Sequence, residues 1–160
     1  MTDCALLRLH TETVQPDWVD YNGHMNVAYY VLVFDHATDA FLDQVGMTAT
    51  LRETTGSSVF VAEAHITYDQ EVMEGERVYV TTQLLAHDEK RLHIFHCMHR
   101  VEGDALAATN ELMILQVNLN DRRVGPFHEG VRERIAAVAK QQADLTVPDA
   151  VGRQIGIRRK

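Results

Sequence analysis

The sequence predicts an α+β fold in which a curved antiparallel sheet wraps one long central helix. Two observations predict it: a single long run of helical spacing begins at Asn26, and four long segments beyond residue 57 carry apolar residues with period two. A helix that is apolar over much of its surface needs covering. A sheet with one apolar face covers it and is buried in turn.

The elements follow in order. Leu6 to Val14 is a strand candidate, and Pro16 with Asp17 ends it in a loop, because proline cannot donate to a ladder and fixes its own φ. Residues 18–35, WVDYNGHMNVAYYVLVFD, then crowd an acid, a glycine, a histidine and two asparagines ahead of a greasy run. From Asn26 onward Tyr30, Val33, Phe34, Ala37, Phe41 and Leu42 recur at helical spacing, while Asp35, Asp39 and Asp43 take another face, until Gly46 supplies a stop. This makes a helix of about five turns at ~3.6 residues each. Asn26 suits its N-cap, since the side-chain oxygen accepts an orphan N–H of the first turn.

After a linker around Gly56–Ser57–Ser58 the period changes. SVFVAEAHITYDQEV runs to the turn Glu74–Gly75–Glu76; RVYVTTQLLAH and RLHIFHCMHRV are joined through His87–Asp88–Glu89–Lys90; ALAATNELMILQVNL follows the turn Glu102–Gly103–Asp104. The expectation is four long strands in a meander. A last helix starts near Pro126 and runs through Val131, Ile135, Ala136 and Val138. Nothing repeats and nothing marks a second unit, so residues 1–160 read as a single domain, its core about 6–127 and its C-terminal helix and tail about 126–160. Such a sheet has open edges, and pairing subunits into a homodimer or homotetramer covers them.

Composition narrows the functions. Fifteen basic residues against 23 acidic ones give a net charge of −8, which argues against nucleic-acid binding, where clustered Lys and Arg meet phosphates. The short basic end Arg158, Arg159, Lys160 does not change the balance. Two cysteines, Cys4 and Cys97, lack disulfide-framework or zinc-ligand spacing, which fits a reduced, cytoplasmic setting. No leader pattern and no apolar run near the ~20 residues of a membrane span occurs, so no membrane partner is expected.

The polar knot before the helix is where chemistry is expected. First-turn N–H groups around Val27 lack intrahelical partners and carry about half a positive charge, which suits a carbonyl becoming an oxyanion. Gly23 lets a ligand approach this backbone. Asp20, six residues before Asn26, is placed to act on the same carbonyl as nucleophile or as base for water. His24, with an ordinary pKa near 6.5, is a second candidate for proton transfer. No GxSxG occurs, and nothing marks Cys97 as a reactive thiol. His93, His96 and His99 are not a metal site on this reading, because strand period sends His96 to the opposite face. Glu63 falls in an alternating strand and is a substrate-binding candidate where it faces the helix near the site, with a solvated strand position as the alternative; Arg122 and Arg123 follow the last strand, placed either to meet phosphates or as ordinary surface.

Asp20–Tyr21–Asn22–Gly23–His24–Met25–Asn26, with Tyr30 in the following helix, resembles the D-x-x-G-[HV]-[VM]-N-x-x-x-Y stretch of hotdog-fold acyl-CoA thioesterases of the 4-hydroxybenzoyl-CoA type. AEAHITYDQEVMEGERV and LQVNLNDRRVGPF resemble their second strand and last strand, so the likeness runs from about residue 6 to 127. It implies hydrolysis of an acyl-CoA to a free acid and CoA, with Asp20 as the catalytic carboxylate and the backbone from Asn26 to Ala28 as oxyanion support. No cofactor is implied beyond the CoA of substrate and product. WVDYNGHM and YVTTQLLAHDEKRLHIFH are similar, more narrowly, to the thioesterases of carnitine breakdown, which act on betainyl-CoA. A trimethylammonium group is attracted by aromatic faces at ~0.5–2 kcal/mol each, and Trp18, Tyr21, Tyr29 and Tyr68 are the candidate faces. Tyr30 joins them as a substrate-binding candidate. Two alternatives stand beside hydrolysis: a hotdog enoyl-CoA hydratase or dehydratase, for whose D-x-N-x-x-H arrangement His24 comes one residue early, and a non-catalytic acyl-CoA-binding module.

Overall fold

The computed structural model describes residues 6–157, so Cys4 and the basic end 158–160 lie outside the described residues. Strand β1 (Leu7–Thr13) leads through a 3-10 turn at Pro16–Trp18 into α1 (Val27–Gln44). The short α2 (Ala49–Thr55) precedes β2 (Ser57–Tyr68), β3 (Arg77–His87), β4 (Arg91–Arg100) and β5 (Leu106–Asn118). A two-residue strand β6 (Arg123–Val124) and α3 (Glu129–Gln141) complete the elements.

All six strands form one antiparallel sheet in the order β1-β3-β4-β5-β2, with β6 paired to β5. The meander therefore holds for β3, β4 and β5 and fails for β2. Residues 69–76 between β2 and β3 are too many to enforce a tight hairpin, and β1 occupies the β3 edge instead, secured by Val14 N–H to Glu76 O at 2.9 Å and Gly75 N–H to Val14 O at 3.0 Å. β2 crosses to the far edge and pairs with β5 from Ser57–Asn118 to Tyr68–Ala108. The expected linker is also revised. Ser57 and Ser58 begin β2, and Gly56 is the left-handed C-cap of α2, whose N-cap Thr48 accepts the Leu51 N–H.

α1 buries Tyr30, Val33, Phe34, Ala37, Thr38, Phe41 and Leu42 against the sheet. Its N-terminal half packs with Val78, Val80, Met98 and Ala108, and its C-terminal half with Leu92, Ile94, Ile114 and Phe127. Burying each large apolar side chain contributes about 1.5–3 kcal/mol, so these two clusters fix the helix on the sheet. Between them lies a polar seam: the His96 ring on β4, fully buried, meets Thr38 Oγ1 at 3.0 Å and Thr82 Oγ1 at 2.9 Å and stacks on Phe34. His93 and His99 point to the other face, as strand period requires. There His93 pairs with Glu111, and His99 stacks on Tyr79. α3 closes the far end through Val131, Ile135 and Val138. No helix among the described residues is long and apolar enough to cross a membrane.

Candidate active site

Residues 19–25 make a small closed loop immediately before α1. Val19 and Met25 bridge its neck, Asp20 N–H donates to His24 O at 3.0 Å, and Gly23 N–H donates to Asp20 O at 2.9 Å. Gly23 sits at φ 79°, a conformation that a side chain would strain. Asp20 Oδ1 accepts the Asn22 N–H at 2.8 Å and the His24 N–H at 3.3 Å. One carboxylate oxygen thus holds the loop in shape. Oδ2 takes part in neither bond.

The loop delivers the chain to the start of α1 in a fixed direction. Asn26 N–H donates to Trp18 O at 2.9 Å, and its side chain caps the helix by accepting the Ala28 N–H at 3.0 Å. Those two donors are spent on structure. Among the described residues Val27 N–H is left as the first-turn donor that neither loop nor cap takes, so the positive end of the helix is concentrated there. The Val27 side chain is 57% exposed and leaves that end open.

A cavity of about 240 Å³ opens beside it, lined by Met25, Val27, Tyr30, Tyr68, Asp69, Gln70 and Glu71. The Tyr30 and Tyr68 rings meet edge to face, 5.3 Å between centroids, and Tyr30 Oη donates to Gln70 O at 3.1 Å. Burial, reinforced by the negative charges of Glu71 and Glu76, holds the Tyr30 phenol above its ordinary range, so it remains a proton donor. His24 Nε2 lies 3.1 Å from Glu71 Oε2, which ties the loop to the strand exit after β2. Asp69 and Glu71 lie outside the motif, so local sequence pattern does not mark them as lining this cavity. The available signal was their position directly after an aromatic strand end, in the segment leading back toward the loop.

The other candidates scatter. Trp18 is buried and stacked on Tyr29 at 5.3 Å with 12° between planes, which leaves no gap between those two rings. Tyr21 is 97% exposed at the loop tip. Within one chain Trp18, Tyr21, Tyr29 and Tyr68 are therefore not four walls of one cage. Glu63 faces neither helix nor site: it lines an outer cavity with His65, His93, Glu111 and Arg153. Arg122 and Arg123 follow the end of β5 that pairs with Ser57, whereas the candidate site adjoins the Tyr68 end, some 35 Å away at ~3.3 Å per residue. Cys97 is a poor nucleophile, because burial pushes its thiol up to about 11.

Comparison with known proteins gives consistent findings. A family model described as the thioesterase-like superfamily matches residues 14–135. The chain is 43% identical over 152 residues to a betainyl-CoA thioesterase of Pseudomonas aeruginosa, covering 95% of this chain and 96% of that protein. It is 38% identical over 145 residues to an L-carnitine dehydrogenase/betainyl-CoA thioesterase of Ruegeria pomeroyi; that match covers 91% of this chain but spans 29% of the relative. A Staphylococcus aureus protein solved in complex with CoA superimposes with a TM-score of 0.89 at 33% identity, covering 96% of this chain and 97% of that one.

Proposed function

This chain belongs to the thioesterase-like superfamily, and from that premise we propose that it hydrolyses betainyl-CoA to betaine and CoA at the start of α1. The observation that carries the reading is one shared cavity: Val27, whose N–H is unspent, lines it together with the Tyr68 ring, Asp69 and Glu71. In betainyl-CoA a single methylene separates the trimethylammonium from the reacting carbonyl. An oxyanion donor and a cation site for this substrate must therefore lie side by side. Val27 N–H supplies the first, while an aromatic face and two carboxylates supply the second. The betainyl-CoA thioesterase activity of the Pseudomonas aeruginosa relative supports the same substrate.

In this mechanism the thioester carbonyl points at Val27 N–H. Asp20, through Oδ2, either draws a proton from a water that attacks the carbonyl carbon, or attacks that carbon itself to form an anhydride that water then hydrolyses to betaine and free Asp20; both routes build negative charge on the carbonyl oxygen at the positive helix end and expel CoA as thiolate. Asn26 holds the helix start, Gly23 keeps the approach open, and His24 is held toward Glu71. Tyr30 fixes the wall by its bond to Gln70. CoA enters only as part of substrate and product. We take the active form to be a homodimer or homotetramer, since among the described residues β2 pairs with β5 alone and leaves its other edge open, with Phe60 53% and Val61 47% exposed on that strand.

The test is thiol release over a panel of betainyl-, acetyl-, hydroxybenzoyl- and medium-chain acyl-CoAs, with wild type and Asp20→Asn side by side. A preference for betainyl-CoA that disappears in Asp20→Asn is the expected result. Equal turnover of acetyl-CoA refutes the cation site and leaves the hydrolase; turnover undiminished in Asp20→Asn refutes the assigned carboxylate.

A further inference from the structure

We propose that His10, Glu12 and His36 form a binding site for a divalent transition-metal ion, separate from the thioester site, that pins edge strand β1 to the flank of α1. His10 and Glu12 are two residues apart on β1, so the strand period turns both side chains to one face. α1 crosses that face and brings His36 against them. Glu12 Oε2 lies 2.7 Å from His10 Nε2 and 2.9 Å from His36 Nδ1, and one donor atom from each of the three residues falls within 4.8 Å of the other two. The imidazoles are set edge to face, with 68° between planes, so both nitrogens converge on one oxygen instead of the rings stacking on each other.

The surroundings favour a cation. Opposite His10 and Glu12 the β3 ladder places Val80 and Val78, so no Lys or Arg competes from that strand. Asp39 lies three residues beyond His36 on the same helix and adds negative charge to that side. Burial alone raises the Glu12 carboxyl, but hydrogen bonds from His36 and His10 outweigh it and hold the group below its usual range, so a carboxylate faces the imidazoles. Side-chain exposures of 21%, 20% and 38% leave a route for an ion from solvent.

Two imidazoles and one carboxylate suit Zn(II), Co(II), Ni(II) or Cu(II), whereas Mg(II) prefers six oxygens in an octahedron. Bonds of ~2.0–2.2 Å in a tetrahedron separate donors by about 3.3 Å, so the carboxylate needs to retreat by roughly half an ångström. Each imidazole offers a lone pair to the ion and keeps its proton on the other ring nitrogen, and a water takes the fourth position. The site is ten residues along α1 from Asn26, about 15 Å at 1.5 Å per residue, so it does not intrude on the oxyanion donor.

The test uses the full chain, stripped with a chelator and titrated calorimetrically with Zn(II) and with Mg(II), and Co(II) absorption as a report of four-coordination. The expected result is one Zn(II) per chain, a raised thermal midpoint because the ion binds the folded chain, and no response to Mg(II). Glu12→Gln and His36→Ala are expected to weaken Zn(II) by more than the ~10–100-fold that loss of an outer partner costs, with thioester turnover of the metal-free protein unchanged. Zn(II) affinity that survives in the His10→Ala/His36→Ala double variant overturns the proposal, as does the lack of a stoichiometric site in wild type. Should a variant fail to fold, imidazole NMR signals of the wild type decide: Zn(II) is expected to shift those of His10 and His36, and shifts confined to other histidines refute the site.

Discussion

The Asp20 carboxylate holds its loop through Oδ1, and substitution separates that structural bond from the proposed chemistry. Asparagine keeps an oxygen that can accept the Asn22 and His24 N–H groups but loses the negative charge; alanine loses both. Asp20→Asn is therefore expected to unfold close to the wild-type temperature while turnover falls by ~10²–10⁴-fold, and Asp20→Ala to lose stability as well as turnover. Melting curves and thiol release on the same preparations check this. A destabilised Asp20→Asn with full turnover makes Asp20 a turn former only. Tyr68 gives a second prediction: removing its ring in Tyr68→Ala is expected to raise KM for betainyl-CoA by roughly tenfold, the equivalent of one cation–π contact of ~1–1.4 kcal/mol, and to spare acetyl-CoA. The loop at Asp20 and the Asn26 cap ahead of Val27 are legible in the sequence because their arrangement is local: seven or eight consecutive residues fix the loop and the cap. Asp69 and Glu71 are not, because only the docking of α1 on the sheet brings the exit of β2 beside Val27. Trp18 and Tyr29 read as cage walls for the same reason in reverse; aromatic residues near a site motif carry no mark that says they will stack on each other.

At the scale of elements, the joint between α1 and the sheet contains a group that makes stability depend on pH. Burial lowers the His96 pKa from an ordinary value near 6.5 to about 3, so the folded protein keeps the ring neutral in a range where the unfolded chain protonates it. The unfolded state then binds the extra proton. The stabilisation is complete above about pH 6.5 and is lost progressively as pH falls toward 3. Urea midpoints at pH 7.5 and 4.5 are expected to fall more steeply with acid for wild type than for His96→Leu, even if that variant is less stable at pH 7.5; parallel profiles refute the assignment. The seam was half legible. Strand period correctly set His96 apart from His93 and His99, but its partners Thr38 and Thr82 come from α1 and β3 and depend on tertiary register. The same distinction explains the topology. Strand existence and the tight turns between β3, β4 and β5 follow from local alternation and Gly-containing or polar turns, whereas the choice of β5 as partner for β2 is a long-range pairing that no local pattern specifies. The short α2 is not legible in the sequence because ATLRETT has three threonines, poor helix formers, and holds its shape through the Thr48 cap and the Gly56 stop.

At the scale of the whole molecule, the sheet order leaves β1 and β2 as the two edges, and they are dressed differently. The β1 face carries His10 and Glu12 tied to α1, whereas β2 exposes Phe60 and Val61 along an unpaired edge with only Glu63 as a charge near its middle. Edge strands that stay monomeric usually carry charges or proline to repel a second strand, and β2 has no proline and the single acid Glu63, at the register shift after Val61. A second copy pairing there extends the sheet and covers the apolar side chains in one step, and a two-fold contact between identical edges closes without leaving a further sticky surface. Light scattering is accordingly expected to give a mass that is a multiple of 18.1 kDa, and Val61→Lys, which adds a charge at that edge, to shift the population toward the single chain. Turnover adds a discriminating readout. Since the cavity beside Val27 is open on one side in the single chain, a monomeric Val61→Lys with an intact fold by circular dichroism is expected to lose betainyl-CoA turnover in proportion to lost dimer; full turnover in a demonstrably monomeric protein means that one chain holds a complete site. A monomeric wild type refutes the pairing outright and leaves Phe60 and Val61 as ordinary exposed apolar side chains.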